Sequence, residues 1–159
     1  MALAMLGTAL TGCGSKDAAA QTPAENTQQT APVQQEQSQT EKALALINTF
    51  ATGDTDTARS LLADGYIQHN LAYGTGADAF IGSVEYLASA DVKTTVNNIR
   101  AFEDGDKVFL QTIYNFAGAG EQVAFDIFRF DENGKIAEHW DVMETIADQS
   151  TWQNQNGKF

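Results

Sequence analysis

Apolar positions recur at helical spacing in three places along the chain and then switch to alternation. Leu44, Ile47, Phe50 and Ala51 share one face of a helix, and Gly53 closes that segment. Asp54 is placed to cap a second, short helix carrying Ala58, Leu61 and Leu62, with Gly65 near its end. Tyr66-Ile67-Gln68-His69-Asn70 reads as a link or a short strand. Thr75-Gly76-Ala77-Asp78 is a capping-box-like start for a third helix, whose stripe is Ala77, Phe80, Ile81, Val84 and Leu87.

After Asp91 the period falls to two. Strands are predicted over residues 94–102, 107–116, 121–130 and 135–146. Between them lie Glu103-Asp104-Gly105-Asp106, Ala117-Gly118-Ala119-Gly120 and Asp131-Glu132-Asn133-Gly134. Such turn chemistry joins sequential strands into hairpins. The predicted fold is therefore α+β, with three N-terminal helices packed on a curved antiparallel sheet of about four strands.

Strand side chains alternate between faces, so hairpin pairing decides which residues meet. With even-length loops, Asn98 pairs with Gln111 and Gln111 with Asp126. Asp126 then pairs with His139, or with Asp141 if Asn133-Gly134 alone is the turn. A polar row of Asn98, Gln111, Asp126 and His139, flanked by Asp141, would cross one face among Phe109, Ile113, Phe128, Phe130 and Met143. The other face would carry Val108, Leu110, Tyr114, Val123, Phe125, Ile127, Trp140 and Val142. Two arrangements satisfy this pattern. Either the polar row faces water, or it lines a pocket beneath the helices while the apolar face meets another subunit. The bulky residues beside the row favour the pocket.

Composition narrows the function classes. The chain has 159 residues, 21 acids against 9 bases, and a net charge of −12. Nucleic-acid binding needs clustered Lys and Arg, and none are clustered here, so no nucleic-acid partner is expected. No apolar run approaches the roughly 18 residues of a membrane-spanning helix. A single cysteine, Cys13, excludes an intrachain disulfide and a multi-cysteine metal site. The serines lack a nucleophile-elbow motif, and Gly74 and Gly76 do not form a dinucleotide loop, so no cofactor is expected.

Two stretches resemble known families. Leu10-Thr11-Gly12-Cys13, after the apolar run from Ala2, resembles the lipobox of bacterial lipoproteins. That resemblance implies a signal segment over residues 1–13, a lipidated Cys13 and a membrane anchor in the bacterial cell envelope. Residues 14–40, rich in Gln, Thr and Ala and holding both prolines, read as a disordered tether. The folded domain is expected over residues 41–159.

The run Phe125-Asp126-Ile127-Phe128-Arg129-Phe130, followed by Asn133-Gly134-Lys135-Ile136-Ala137-Glu138-His139-Trp140-Asp141-Val142, resembles the closing hairpin of SnoaL-like proteins in the nuclear transport factor 2-like superfamily. Tyr66 to Asn70 resembles the family's segment before its third helix, although Leu71 stands where a proline is frequent. The resemblance implies a cone-like fold, a sheet bent around a small-molecule pocket, and homodimers through the sheet. SnoaL-like cyclases use a pocket aspartate as acid and base in an intramolecular aldol closure, with no metal and no cofactor. By that resemblance Asp141 is the first catalytic candidate, with Asp126 and His139 beside it. A carboxylate in an apolar pocket has its proton affinity raised, which suits proton transfer. The expected ligand-binding residues are His69, at the pocket mouth, with Asn98, Gln111, Phe109, Phe128 and Met143. A metal site from His69, His139 and Asp126 or Asp141 is conceivable by residue type, but the resemblance implies none. Because this superfamily hosts enzymes and binding modules alike, both readings stay open.

The lipobox generates a test. Cys13→Ala should release the protein from the membrane fraction and stop incorporation of a labelled fatty acid. A variant that still pellets with membranes, beside a wild type that never takes up the label, would refute the anchor.

Overall fold

A computed structural model describes residues 36–159; the expected signal segment, Cys13 and residues 14–35 of the expected tether lie outside the described residues. Helix α1 spans Gln39–Thr52. Ser38 Oγ accepts the Glu41 N–H at 3.1 Å and the Glu41 carboxylate accepts the Ser38 N–H at 2.7 Å, a reciprocal capping box. The helix therefore begins at Gln39, ahead of the boundary at Glu41 expected for the domain. At its other end Gly53 has φ 75° and returns its N–H to Thr49. A Cβ on Gly53 would lie 2.8 Å from that of Ala88, so this glycine both ends α1 and lets α3 approach.

Helix α2, Thr55–Leu61, is capped by Asp54, whose Oδ1 accepts the Thr57 N–H at 2.9 Å. Strand β1, Leu62–Gln68, follows with no intervening loop, so Gly65 lies inside a strand and not at a helix end. Helix α3, Ala77–Ser89, starts at Gly76 without a side-chain cap. The expected capping residue Thr75 instead accepts the Gln68 N–H at 3.2 Å, which ties the entry of α3 to the end of β1.

Four further strands follow: β2 Thr95–Asp104, β3 Lys107–Asn115, β4 Gln122–Phe130 and β5 Ile136–Thr145. The sheet order is β1-β5-β4-β3-β2. Strands β2 to β5 form the expected antiparallel meander, and β1 joins its β5 edge in parallel. The α+β architecture is as expected, with five strands where about four were predicted. A parallel edge strand has no hairpin turn to announce it, and its partner lies far along the chain.

Register decides the faces. Asp126 lies opposite Asp141 and Phe128 opposite His139, the pairing expected if Asn133-Gly134 centres the turn. Strand β3 differs from expectation by one residue. Gln111 lies opposite Phe125, and Leu110 lies opposite Asp126. Between the last paired residues, Tyr114 and Gln122, the connection has an odd number of residues, with Ala117 at φ 49°, Gly118 at 78° and Gly120 at 109°. A one-residue slip turns every side chain to the other face. Val108, Leu110 and Tyr114 therefore point to the helices, while Phe109, Gln111 and Ile113 point away. A bulge between Asn98 and Arg100 then returns Asn98 to the helix-facing side, opposite Thr112.

The core forms between the helices and the inner face of the sheet. Ala43, Leu46 and Ile47 of α1 and Phe80, Ile81 and Val84 of α3 pack on Val108, Leu110, Tyr114, Phe128, Phe130 and Ile136. On the outer face the C-terminal segment returns to cover Gln111, whose Nε2 donates to the Lys158 carbonyl at 2.8 Å, and Lys158 pairs with Glu144. Beyond that cover, Phe102, Phe109, Phe125 and Val142 stay exposed.

Candidate functional site

Inside the cone, between the helices and the sheet, lies a cavity of about 700 Å³. Ile47 and Phe50 of α1 and Phe80 and Leu87 of α3 form one side, with Phe116, Phe128 and Met143 on the other. Its two carboxylates and its imidazole gather at one place. Asp126, His139 and Asp141 each offer an atom within 4.8 Å of the others. Residues 139 and 141 share a face because β5 alternates, and β4 brings Asp126 directly opposite Asp141.

Asp126 is buried, and both of its oxygens are engaged. Tyr114 donates its hydroxyl to Oδ2 at 2.9 Å, and His139 Nε2 lies 3.2 Å from Oδ1. The other side of the imidazole meets Gln68. Gln68 Oε1 accepts the Asn70 N–H at 2.9 Å and lies 3.2 Å from His139 Nδ1, while its amide nitrogen lies 3.0 Å from the same Nδ1 and donates to Tyr66 Oη at 3.2 Å. The ring is therefore held from both sides, Nε2 by the Asp126 carboxylate and Nδ1 by the Gln68 amide. The ring stacks on Phe128 with centroids 4.4 Å apart.

Asp141 is satisfied differently. It is half-buried, and Asn70 Nδ2 donates to its Oδ1 at 2.6 Å. Its other oxygen has no hydrogen-bond partner among the described residues. Loss of water raises its proton affinity above the ordinary carboxylate value; a charged His139 and the Asn70 bond pull the other way, and the Asp126 charge adds to the rise. Burial also raises the phenol of Tyr66, and the charges of Asp141 and Asp126 push it further. Tyr114 is raised well above its ordinary value, first by burial and then by Asp126. Both phenols are therefore donors across the neutral range.

Asp126, His139, Asp141, Phe128 and Met143 line the cavity. Four other candidates do not. Phe109 and Gln111 are on the outer face, through the odd β3–β4 connection. Asn98 is on the inner side, but its amide is spent on the Gln111 carbonyl and Thr112 Oγ1, away from the cavity and against α1. His69 follows Gln68 on β1 and so turns outward; it stacks on Trp140 at 4.7 Å and bonds Glu138 at 2.7 Å. One imidazole and two carboxylates remain together, a donor set that suits a divalent cation, but His69, the second histidine a metal site would draw on, is not part of it.

Gln68, Asn70, Tyr66 and Tyr114 belong to the site and were not expected there. Alternation along β5 gives no hint of β1, and an even-length β3–β4 loop places Tyr114 on the outer face by the same one-residue slip. A count of the polar atoms needed to satisfy a buried Asp126 would have pointed to a tyrosine on β3.

Residues 43–139, more than half of the chain, match the family model of the SnoaL-like domain. No curated protein matches the chain. Solved structures with a similar fold include an NTF2-like protein of unknown function from Cytophaga hutchinsonii. It is 16% identical, with a TM-score of 0.59 over 70% of this chain and 94% of that one. An LEH-like epoxide hydrolase of M. tuberculosis is 18% identical, with a TM-score of 0.58 over 67% of this chain and 82% of that one. IdmH of Streptomyces antibioticus, a proposed polyketide cyclase, is 18% identical, with a TM-score of 0.55 over 68% and 93%.

The raised Asp141 carboxyl makes a prediction about stability. Below pH 3.8, its ordinary value, folded and unfolded states are both protonated at this group. As pH rises past that value, the folded state keeps a proton that the unfolded state has released, so stability falls through the window up to the folded value. Asp141→Asn removes this penalty. Thermal melts should show the variant more stable than wild type at pH 7, with the gap closing toward pH 3.8. A variant less stable at pH 7 would contradict the assignment.

Proposed function

The chain belongs to the SnoaL-like domain family, and we propose that its cavity takes a small, largely apolar carbonyl compound on which Asp141 performs proton transfer without a cofactor. One observation carries this reading. Asp141 borders an apolar cavity with raised proton affinity and an uncommitted oxygen, beside an Asp126 already satisfied by two donors.

A base so placed removes a proton from the carbon next to a carbonyl. The C–H electrons move into the carbon–carbon bond and the carbonyl electrons onto oxygen, giving an enolate. Tyr66, which accepts from Gln68 and keeps its own proton, is positioned to donate to that oxygen. Where the substrate holds a second carbonyl, the enolate carbon attacks it and Asp141 returns its proton to the new alkoxide. This is an aldol closure with Asp141 as base and then acid. Asp126 and His139 act one step away, holding Tyr114 and the wall in place. That an epoxide hydrolase and a proposed cyclase share this fold supports a cavity used for chemistry.

The same reading keeps a lipid anchor at Cys13, in the bacterial envelope, and a homodimer through the outer face. Phe102, Phe109, Phe125 and Val142, exposed by 63%, 42%, 55% and 72%, are what a second copy would cover. Sedimentation should give a dimer at micromolar concentration and a monomer for Phe125→Glu; a wild type that stays monomeric would refute the interface.

For the chemistry, the protein is incubated with a mixed carbonyl and polyketide library, and retained and converted compounds are read by mass spectrometry. Asp141→Asn should keep the fold and lower turnover by at least about 100-fold, with Asp126→Asn less affected. Full turnover in Asp141→Asn would overturn the mechanism.

A further inference from the structure

The cavity wall is unbalanced in charge. Its lining holds Asp126, Asp141 and His139, and no Lys or Arg among the described residues. His139 is the one basic group beside them, bonded to Asp126 and Gln68, so two ionised carboxylates outnumber any cation on the wall. Basic side chains of β4 and α1 are spent elsewhere. Arg129 pairs with Glu138, and Lys42 reaches Glu36 and the Gly134 carbonyl. A net chain charge of −12 adds to the field.

The rest of the wall is aromatic where the charges are. Tyr66, Tyr73 and Tyr114 line the same cavity as the two acids, and Tyr114 donates directly to Asp126 at 2.9 Å. Phe80 meets Tyr66 edge-on at 6.1 Å, and Phe116 stacks on Tyr114 at 4.9 Å. Ring faces are electron-rich and attract organic cations, most strongly when water is excluded. An anionic ligand would meet two like charges. A neutral one would leave Asp141 without a counterion.

We propose that the cavity selects a positively charged organic ligand, an amine or quaternary ammonium on an apolar body, held between the carboxylates of Asp126 and Asp141 and the rings of Tyr66, Tyr73 and Tyr114. The inference rests on the pocket reading above and names the charge class of its ligand. The volume, about 700 Å³, suits a body of drug-like size. A cation there supplies the counterion that Asp141 lacks, where the unliganded site relieves the charge by holding a proton more tightly.

The test uses the full chain and three probes on one ring system: naphthylmethylammonium, naphthylmethanol and naphthoate, titrated by calorimetry at neutral pH. The ammonium should bind at least about tenfold more tightly than the alcohol, with naphthoate weakest. Asp141→Asn should bring the ammonium-to-alcohol ratio to within about twofold, and Tyr73→Leu, at the exposed rim, should lower it about threefold. Glu132→Gln makes the same charge change in the exposed β4–β5 turn and should leave the ratio as in wild type. Melting curves establish that each variant is folded. Equal affinity for ammonium and alcohol, tightest binding of naphthoate, no binding of any probe, or an unchanged ratio in Asp141→Asn overturns the inference. Asp141-dependent turnover of a neutral carbonyl compound alongside equal probe affinities would sink the cation and keep the acid–base reading. A strong ammonium preference with no turnover in the library would do the reverse.

Discussion

Removing water from a carboxylate costs several kcal/mol unless other donors replace it, and Asp126, 4% exposed, meets that cost at the centre of the sheet. Its two donors come from different strands, Tyr114 on β3 and His139 on β5. The imidazole is then held from behind by Gln68 of β1, and Gln68 in turn holds the backbone of Asn70. Asn70 completes the chain by donating to Asp141. One buried charge is thus connected through four strands and a loop. The network works only if β3, β4, β5 and β1 keep their registers, so the polar site and the sheet specify each other.

The two aspartates show how a small domain separates structure from reactivity. They are direct cross-strand neighbours, identical in chemistry, and differ only in what surrounds them. Asp126 has both oxygens engaged and serves the architecture. Asp141 has one donor, partial burial and a raised proton affinity. Holding such a group beside an apolar cavity costs stability, a cost tolerated where chemistry or binding needs it. The capping box at Ser38, the α1–α3 approach at Gly53 and the helix-to-sheet core supply rigidity around that point.

The sheet is apolar on both faces for different reasons. Its inner face builds the cone and the cavity. Its outer face is divided between a region under the C-terminal segment and an exposed patch from Phe102 to Val142. Alternation alone cannot tell such faces apart, because each strand presents large apolar residues both ways. That is why one residue more or less in the β3–β4 connection exchanges Leu110 and Tyr114 for Phe109 and Gln111 without disturbing the hydrophobic pattern.

Local chemistry was legible in the sequence: the helical stripes ending at Gly53 and beginning at Ala77, four strands between Asp-Gly, Gly-x-Gly and Asn-Gly turns, and the convergence of Asp126, His139 and Asp141. These depend on interactions between residues close along the chain, where propensity, capping and alternation act directly. What required the tertiary structure was everything set by longer-range pairing. The parallel edge strand β1, the partners Gln68, Asn70 and Tyr66 that it brings to the site, the outward turn of His69, the bulge beside Asn98 and the parity of β3 all fall in this class. Each follows from backbone hydrogen bonds between distant segments or from a loop whose left-handed residues absorb an odd count. A one-dimensional pattern of period two carries no record of either.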